Sequence, residues 1–165
     1  MEVTLLTNPK FYMMIGVPGS GKSTWIQQFL DSHPEEFVII SSDDLIEEYA
    51  QSQNKTYDQV FKEYVGIAEK QMYENAKIAF DKNINVIWDQ TNLNPRARSK
   101  KLRLVPNRYH MTAVVFSTPG VQEHQRRLDS RTGKTIPQFI IENMIQTMVP
   151  PNYEEGFAEI VYITI

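Results

Sequence analysis

One nine-residue stretch, Gly16-Val17-Pro18-Gly19-Ser20-Gly21-Lys22-Ser23-Thr24, restricts the fold of this chain more than any other. It has the form G-x-x-x-x-G-K-[ST]. The apolar run before it, Lys10–Ile15 (KFYMMI), reads as a buried strand, and from Ser23 a helical pattern begins (STWIQQFLD). A strand–loop–helix context of this kind is what separates a P-loop from a chance glycine turn. Each part of the motif has a physical purpose. Gly19 and Gly21 let the backbone curl so that its N–H groups face a phosphate, which a Cβ would obstruct. The N-terminus of the following helix adds partial positive charge aimed at the same anion. Lys22 is placed to reach the β- and γ-phosphates, and the Ser23 hydroxyl to hold Mg²⁺. Gly19, Ser20, Gly21, Lys22, Ser23 and Thr24 are therefore expected to bind ATP or another nucleoside triphosphate with Mg²⁺.

The chain has 165 residues, enough for one domain with a substantial core. It has no cysteine, which excludes disulfides, Cys-ligated zinc and thiol catalysis and fits a reducing compartment. Glu2 stands where a secretory leader would carry basic residues, and no apolar stretch approaches the length of a membrane span. A cytoplasmic location is expected. The net charge of −3 rules out a generic polyanion binder, so any nucleic-acid contact has to use a local basic patch.

Further strands are expected at Phe37–Ser41, Asn85–Asp89, Tyr109–Phe116 and Ile160–Ile165. Between them, Leu45, Ile46, Tyr49 and Ala50 suggest a short helix. From Tyr57 to Phe80, apolar residues recur at steps of three and four, which predicts a long amphipathic helix ended by Asn83. Pro95 suits the first turn of another helix. Val121–Asp129 and Pro137–Met148 are helical, separated by a polar segment, Ser130–Thr135, that contains Gly133. Strands alternating with helices imply an α/β fold: a P-loop three-layer architecture with a central parallel sheet of about five strands and a helical lid, as one domain over residues 1–165. In such sheets ligands bind at the carboxyl ends of the strands, where the P-loop, Asp43 and Asp89 all fall.

Four groups of residues carry candidate chemistry. Asp43, with Asp44 beside it, follows the second strand and is placed to orient an acceptor hydroxyl and take its proton. The plainer alternative is helix capping by Ser42 or Asp43, with Glu47 completing the arrangement. Asp89 after an apolar strand suits a contact to Mg²⁺ or its water shell, and Thr91 and Asn92 can hydrogen-bond phosphate or acceptor. An Asp–Asn turn closing the strand is the alternative there. Arg126, Arg127, Arg131 and Lys134 form a candidate cationic lid over the triphosphate, with Arg127 and Arg131 as phosphate contacts and Arg131 at the transition state. A solvated helix face is the alternative. Finally, Arg96, Arg98, Lys100, Lys101 and Arg103 crowd one helix and either track a nucleic-acid backbone, with Arg96 at the substrate, or simply face solvent. His33, His110 and His124 share no metal-ligand spacing and read as structural or surface residues.

The residues together resemble the 5′-kinase domain of bacteriophage polynucleotide kinases. Four segments carry the likeness in order: GVPGSGKSTW at Gly16–Trp25, SDD at Ser42–Asp44, TNLNP at Thr91–Pro95, and the basic stretch from Arg127 to Pro137. The resemblance implies a P-loop kinase moving the γ-phosphate of a nucleoside triphosphate to a polynucleotide 5′-hydroxyl. Lys22 and Ser23 would bind triphosphate and Mg²⁺, Asp43 would be the general base, and Arg131 the lid arginine. It also implies a nucleic-acid end as partner and, with no D-x-D-G-T motif present, no fused phosphatase. If the gene is of phage origin, the location is the host cytoplasm. Three positions depart from the pattern. Ser42 and Ile46 stand where that family has arginines, the second of which holds an acceptor phosphate, and Gln90 stands where it has an acid. Glu47 and Glu48 would also repel a polyanion. A kinase of a nucleotide or other small hydroxyl compound is the alternative, and a non-catalytic ATP-binding switch a third reading.

Overall fold

The computed structural model describes residues 7–164. The expectations resting on Glu2 and Ile165 lie outside the described residues. Five strands, β1 (Lys10–Ile15), β2 (Phe37–Ile40), β3 (Asn85–Trp88), β4 (His110–Phe116) and β5 (Glu159–Ile163), form one sheet in the order β2-β3-β1-β4-β5. Every neighbouring pair is parallel. Parallel pairing requires crossover connections, and six helices supply them: α1 (Lys22–Ser32), α2 (Ser42–Ser52), α3 (Tyr57–Asp81), α4 (Pro95–Leu102), α5 (Val121–Asp129) and α6 (Gln138–Thr147). A single 3-10 turn, Tyr153–Glu155, precedes β5 and has no counterpart in the sequence expectations.

Period-two alternation in β1 assigns the layers. Phe11, Met13 and Ile15 join a core with Met72, Ala76, Ala79 and Phe80 of α3. Met14, on the opposite face, packs with Ile26 of α1, and Tyr12, Trp25 and Phe29 close around that second core. The sheet is therefore covered on both sides, as expected. A third cluster joins α2 to α3 through Ile46, Ala50, Val60 and Ala68, with Tyr49 and Tyr64 stacked 3.9 Å apart.

Local chemistry sets the element ends. Thr56 caps α3 in a full capping box with Gln59. At its other end Asn83 takes a left-handed φ of 56°, and the amides of Asn83 and Ile84 bond back to the carbonyls of Phe80 and Ala79. This is a Schellman closure with Asn in the usual Gly place. Asn94 caps α4 with Pro95 at its first turn, as expected. One expectation needs correcting. The cap of α2 is neither Ser42 nor Asp43 but Ser41, whose Oγ accepts from the Asp44 amide at 3.2 Å. The strand β2 accordingly stops at Ile40 rather than Ser41. Asp43 and Asp44 thus sit in the first helical turn, and neither the Asp43 carboxylate nor Glu47 is spent on capping.

Candidate active site

The P-loop leaves β1 and wraps into α1 through two left-handed glycines, Gly19 (φ 78°) and Gly21 (φ 98°). Its outward carbonyls are tied down. Pro18 O contacts His124 Nε2 at 2.7 Å, and Gly19 O accepts from Arg127 Nη1 at 3.3 Å, both from α5. A side chain at Gly19 would come within 3.2 Å of the His124 ring, so the close seating of α5 on the loop requires glycine there. Gly21 caps α1 without a side-chain bond, and no acid lies in the first turn. The first amides of α1 therefore remain free of intrahelical acceptors and of any competing carboxylate. Ser20 is fully buried with an unpartnered Oγ, and Arg131 Nη1 is buried and unpartnered as well. These orphaned donors and the uncapped helix end fit an anion such as a triphosphate.

Lys22 folds back onto the loop, donating to Gly16 O (2.9 Å) and Val17 O (3.0 Å). Burial pushes its ammonium down to about 8 against the opposing pull of Asp89 and Asp43. Asp89 follows β3, anchored by its amide to Ile40 O at 2.8 Å. Burial pushes its carboxyl up to about 6, with Lys22 opposing and Asp44 and Asp43 reinforcing. Ser23 is exposed at the start of α1. Among the described residues no three His, Cys, Asp or Glu side chains could hold a metal by themselves. A Mg²⁺ would depend on Ser23, Asp89 and phosphate oxygens, which fits a cation that binds together with a nucleotide.

Both oxygens of Asp43 are engaged. Tyr57 Oη donates to Oδ1 at 2.8 Å, and Lys134 Nζ donates to Oδ2 at 2.8 Å and to Glu47 Oε1 at 3.0 Å. The Lys134 ammonium also lies 4.3 Å from the centre of the Tyr57 ring. Burial alone would raise the Asp43 carboxyl, but Lys134, Tyr57 and the charge of Arg131 outweigh it and hold it below its ordinary value. Asp44 goes the other way, raised by partial burial and by the charges of Glu47 and Asp43. The lid segment that carries Lys134 is docked on the start of α3. The Asp58 amide donates to Gly133 O, and the Asp58 carboxylate accepts from the Thr135 amide. Gly133 has φ 70°, and a Cβ there would lie 2.8 Å from Thr56 Cβ, so this docking also depends on glycine.

One cleft of about 1280 Å³ collects most of the expected residues. Gly19, Ser20, Gly21, Lys22, Ser23, Thr24, Asp43, Asp44, Asp89, Thr91, Arg127 and Arg131 all line it. Two expected substrate contacts, Asn92 and Arg96, do not. Asn92 is 2% exposed, donates to Met14 O at 2.8 Å and accepts from Lys101, so it braces the loop against the sheet. Arg96 is exposed on α4 and lies outside the cleft lining.

The basic helix also needs correcting, because two of its five cations are interior. Arg98 is completely buried, paired with Glu155 at 2.7 Å and donating to the carbonyls of Asn92 and Val149. Lys101 is buried against Asn92, and burial pushes it down to about 8. Of the histidines, His124 holds the P-loop, His33 stacks on Phe29, and His110 faces Glu159 at the surface.

The sequence reading missed Tyr57 and Lys134 as partners of Asp43. Their positions, 14 residues and 91 residues away, leave no local signal. It also missed that two departures from the phage pattern touch each other: Gln90 Nε2 donates to Ser42 Oγ at 2.8 Å, and Gln90 accepts from the Trp88 indole. A neutral bridge thus ties the end of β3 to the start of α2.

The chain is similar in fold to several solved structures. A chain of the Pnkp1/Rnl/Hen1 RNA repair complex matches with a TM-score of 0.65 and 24% identity, over 89% of this chain and 46% of that one. A gluconokinase from Sinorhizobium meliloti 1021 matches with a TM-score of 0.56 and 18% identity, over 96% and 83%. A sugar kinase from Janibacter sp. HTCC2649 matches with a TM-score of 0.60 and 16% identity, over 94% and 85%. The chain spans about half the length of the RNA-repair chain and most of the length of the two smaller kinases. Residues 11–151, most of its length, match the family described as the AAA domain, and the chain belongs to this family of P-loop kinase domains.

Proposed function

We propose that the chain is a kinase that moves the γ-phosphoryl group of ATP to a hydroxyl on a second substrate. The observation that carries this reading is the carboxylate of Asp43, which opens into the same cleft as the P-loop and is kept ionised by Lys134 and Tyr57. A module that only bound ATP has no use for such a group on the acceptor side.

In this reading the amides of the P-loop and Lys22 hold the triphosphate, and Arg127 and Arg131 close on it from the lid. Ser23 and Asp89, together with the phosphates, would hold Mg²⁺, which would supply neutralising charge. Asp43 orients the acceptor hydroxyl and accepts its proton as the new O–P bond forms. The bond from the γ-phosphorus to its bridging oxygen breaks, and the electron pair leaves on ADP. Lys134 has to yield Oδ2 to the acceptor, so the lid contact and acceptor entry are coupled.

The resemblance to phage enzymes, and the fold shared with an RNA repair complex, favour a polynucleotide 5′-hydroxyl as acceptor. The fold shared with sugar kinases favours a small hydroxyl compound equally well. The charges favour the second. Asp43, Asp44 and Glu47 cluster on the acceptor side, Ile46 is buried where the phage pattern has a phosphate-binding arginine, and Arg98 and Lys101 are interior. A polyanion gains nothing from that surface.

The test is γ-labelled ATP incubated separately with a 5′-hydroxyl oligonucleotide, nucleosides, sugars and sugar acids, and water. Label on a small hydroxyl compound, lost in Asp43→Asn, is expected. Label on the oligonucleotide alone would move the acceptor assignment to nucleic acid, and release to water alone would end the kinase reading.

A further inference from the structure

The cleft extends beyond the reacting groups into a slot that the phosphoryl-transfer chemistry does not use. Along α3, Tyr57, Phe61, Val65 and Glu69 recur every four residues and all line it, so they form one stripe on one helix face. Across from them, Ile140 and Met144 of α6 line the same space at the same spacing. Both helices begin at the docked lid segment, and farther along, Met72 of α3 and Met148 after α6 join the same core. Between those ends they make no extensive contact with each other. Phe61 is 42% exposed and Ile140 36% exposed, inside a cleft rather than on a convex surface.

The slot is continuous with the reacting centre. Its first member, Tyr57, bonds the Asp43 carboxylate, and the Phe61 ring stands 5.5 Å from the Tyr57 ring. From Tyr57 to Glu69 the stripe runs about 18 Å, at 1.5 Å per helical residue. Its far end carries the Glu69 carboxylate, exposed and with no hydrogen bond among the described residues. Apolar walls disfavour anions and favour a flat or apolar body.

We infer that the slot between α3 and α6 binds the body of the acceptor, which is a non-anionic hydroxyl compound with an aromatic or apolar frame. Phe61, Val65, Ile140 and Met144 sandwich the frame, and Tyr57 marks the end where its hydroxyl meets Asp43. This assignment rests on the kinase reading for the identity of the ligand as acceptor, and on the slot alone for its chemistry.

The test measures equilibrium binding with the donor half saturated by a non-hydrolysable ATP analogue. The probes are cytidine, adenosine and phenylethanolamine as neutral or cationic aromatic alcohols, gluconate as a small anion, and a 5′-hydroxyl pentathymidylate as a polyanion. At least one aromatic alcohol is expected to bind, with gluconate and the pentathymidylate at least tenfold weaker. Phe61→Ser and Ile140→Ser should each weaken that probe about tenfold through lost apolar contact. Affinity for the ATP analogue, measured on the same variants, reports whether the fold and donor half are intact. Tighter binding of gluconate or pentathymidylate than of every aromatic alcohol overturns the inference. So does absence of binding by all three aromatic alcohols, or unchanged affinity in both apolar variants. Binding that follows the expected pattern without label transfer from ATP would remove the kinase reading and leave the slot assignment standing.

Discussion

In the proposed reading, the donor half of the cleft is nine consecutive residues that present backbone amides to a ligand, whereas the acceptor half is assembled from side chains on α2, α3, the lid and α6. The difference has mechanical consequences. A backbone cradle is held by its own glycines and by the helix it opens, with His124 and Arg127 fixing its outer carbonyls. A side-chain site depends on distant elements staying in register: Asp43 on α2 keeps Lys134 only while Gly133 and Thr135 remain docked on Asp58. The backbone cradle should therefore tolerate undocking of the Gly133–Thr135 segment, and the acceptor half should not.

The largest effect should come from dividing the two halves chemically. Asp43→Asn is expected to lower kcat about 10³-fold, within the span of general-base contributions, while the dissociation constant for an ATP analogue stays unchanged. Lys22→Ala is expected to lower kcat about 10²-fold or more and to weaken nucleotide binding with it. Label transfer and equilibrium binding on the two variants check this. Equal loss of ATP affinity in both would mean that the halves are not separable.

Next comes the scaffold behind the loop at Asn92. Arg98 joins α4 to Glu155 and to the carbonyls of Asn92 and Val149 from a fully buried position. Arg98→Met leaves the Glu155 carboxylate and two carbonyls without their donor, so a loss of about 3 kcal/mol is expected in urea unfolding. Arg96→Ala, two residues earlier on the exposed face, should stay within about 0.5 kcal/mol.

That pair of arginines also marks how far the sequence could be read. The P-loop, the five strands, the two-sided cover of the sheet and the Pro95 helix were all legible, because each follows from local spacing or periodicity. The lining positions of Asp43, Asp89, Arg127 and Arg131 were legible for the same reason: strand ends and a Gly-containing lid have sequence signatures. Arg98 and Lys101 were not, since a run of cations on a short helix looks solvated until the 3-10 turn at Tyr153–Glu155 and the Asn92 loop are folded over it. The Asp43–Tyr57–Lys134 cluster was hidden likewise, because tertiary packing alone joins residues that far apart.

Proton binding tests the donor side by itself, with an effect of about 3 kcal/mol for each of two groups. Asp89 is raised from 3.8 to about 6 by burial, so the folded protein holds that proton more tightly than the unfolded chain does. Its contribution to stability is present at low pH and is lost as pH rises from about 4 through about 6. Lys22 is lowered from 10.5 to about 8, so the unfolded chain binds more protons above that pH, and stability rises with pH from about 8 upward. Urea titrations of the nucleotide-free protein across pH should show both slopes. Asp89→Asn should flatten the acid one.

The smallest expected effect concerns the lid's grip on Asp43. Lys134 and Tyr57 together hold that carboxyl below its ordinary value against the upward push of burial. With Mg²⁺–ATP saturating, so that Asp89 is already committed to the metal, the acid limb of the kcat/KM profile for the acceptor reports Asp43, and in the native protein it should fall below the ordinary carboxylate value. Lys134→Gln keeps a hydrogen-bond donor but removes the charge, and burial then raises the Asp43 carboxyl. The acid limb should move to higher pH, while the rate near pH 7, where the carboxylate is ionised in both proteins, changes only severalfold. Tyr57→Phe should move the limb in the same direction by less, since its contribution ranks below that of Lys134. A limb that stays in place in Lys134→Gln would mean that the lid is off Asp43 before the acceptor arrives. A limb that moves would mean that the lid stays on the acceptor half until the hydroxyl arrives.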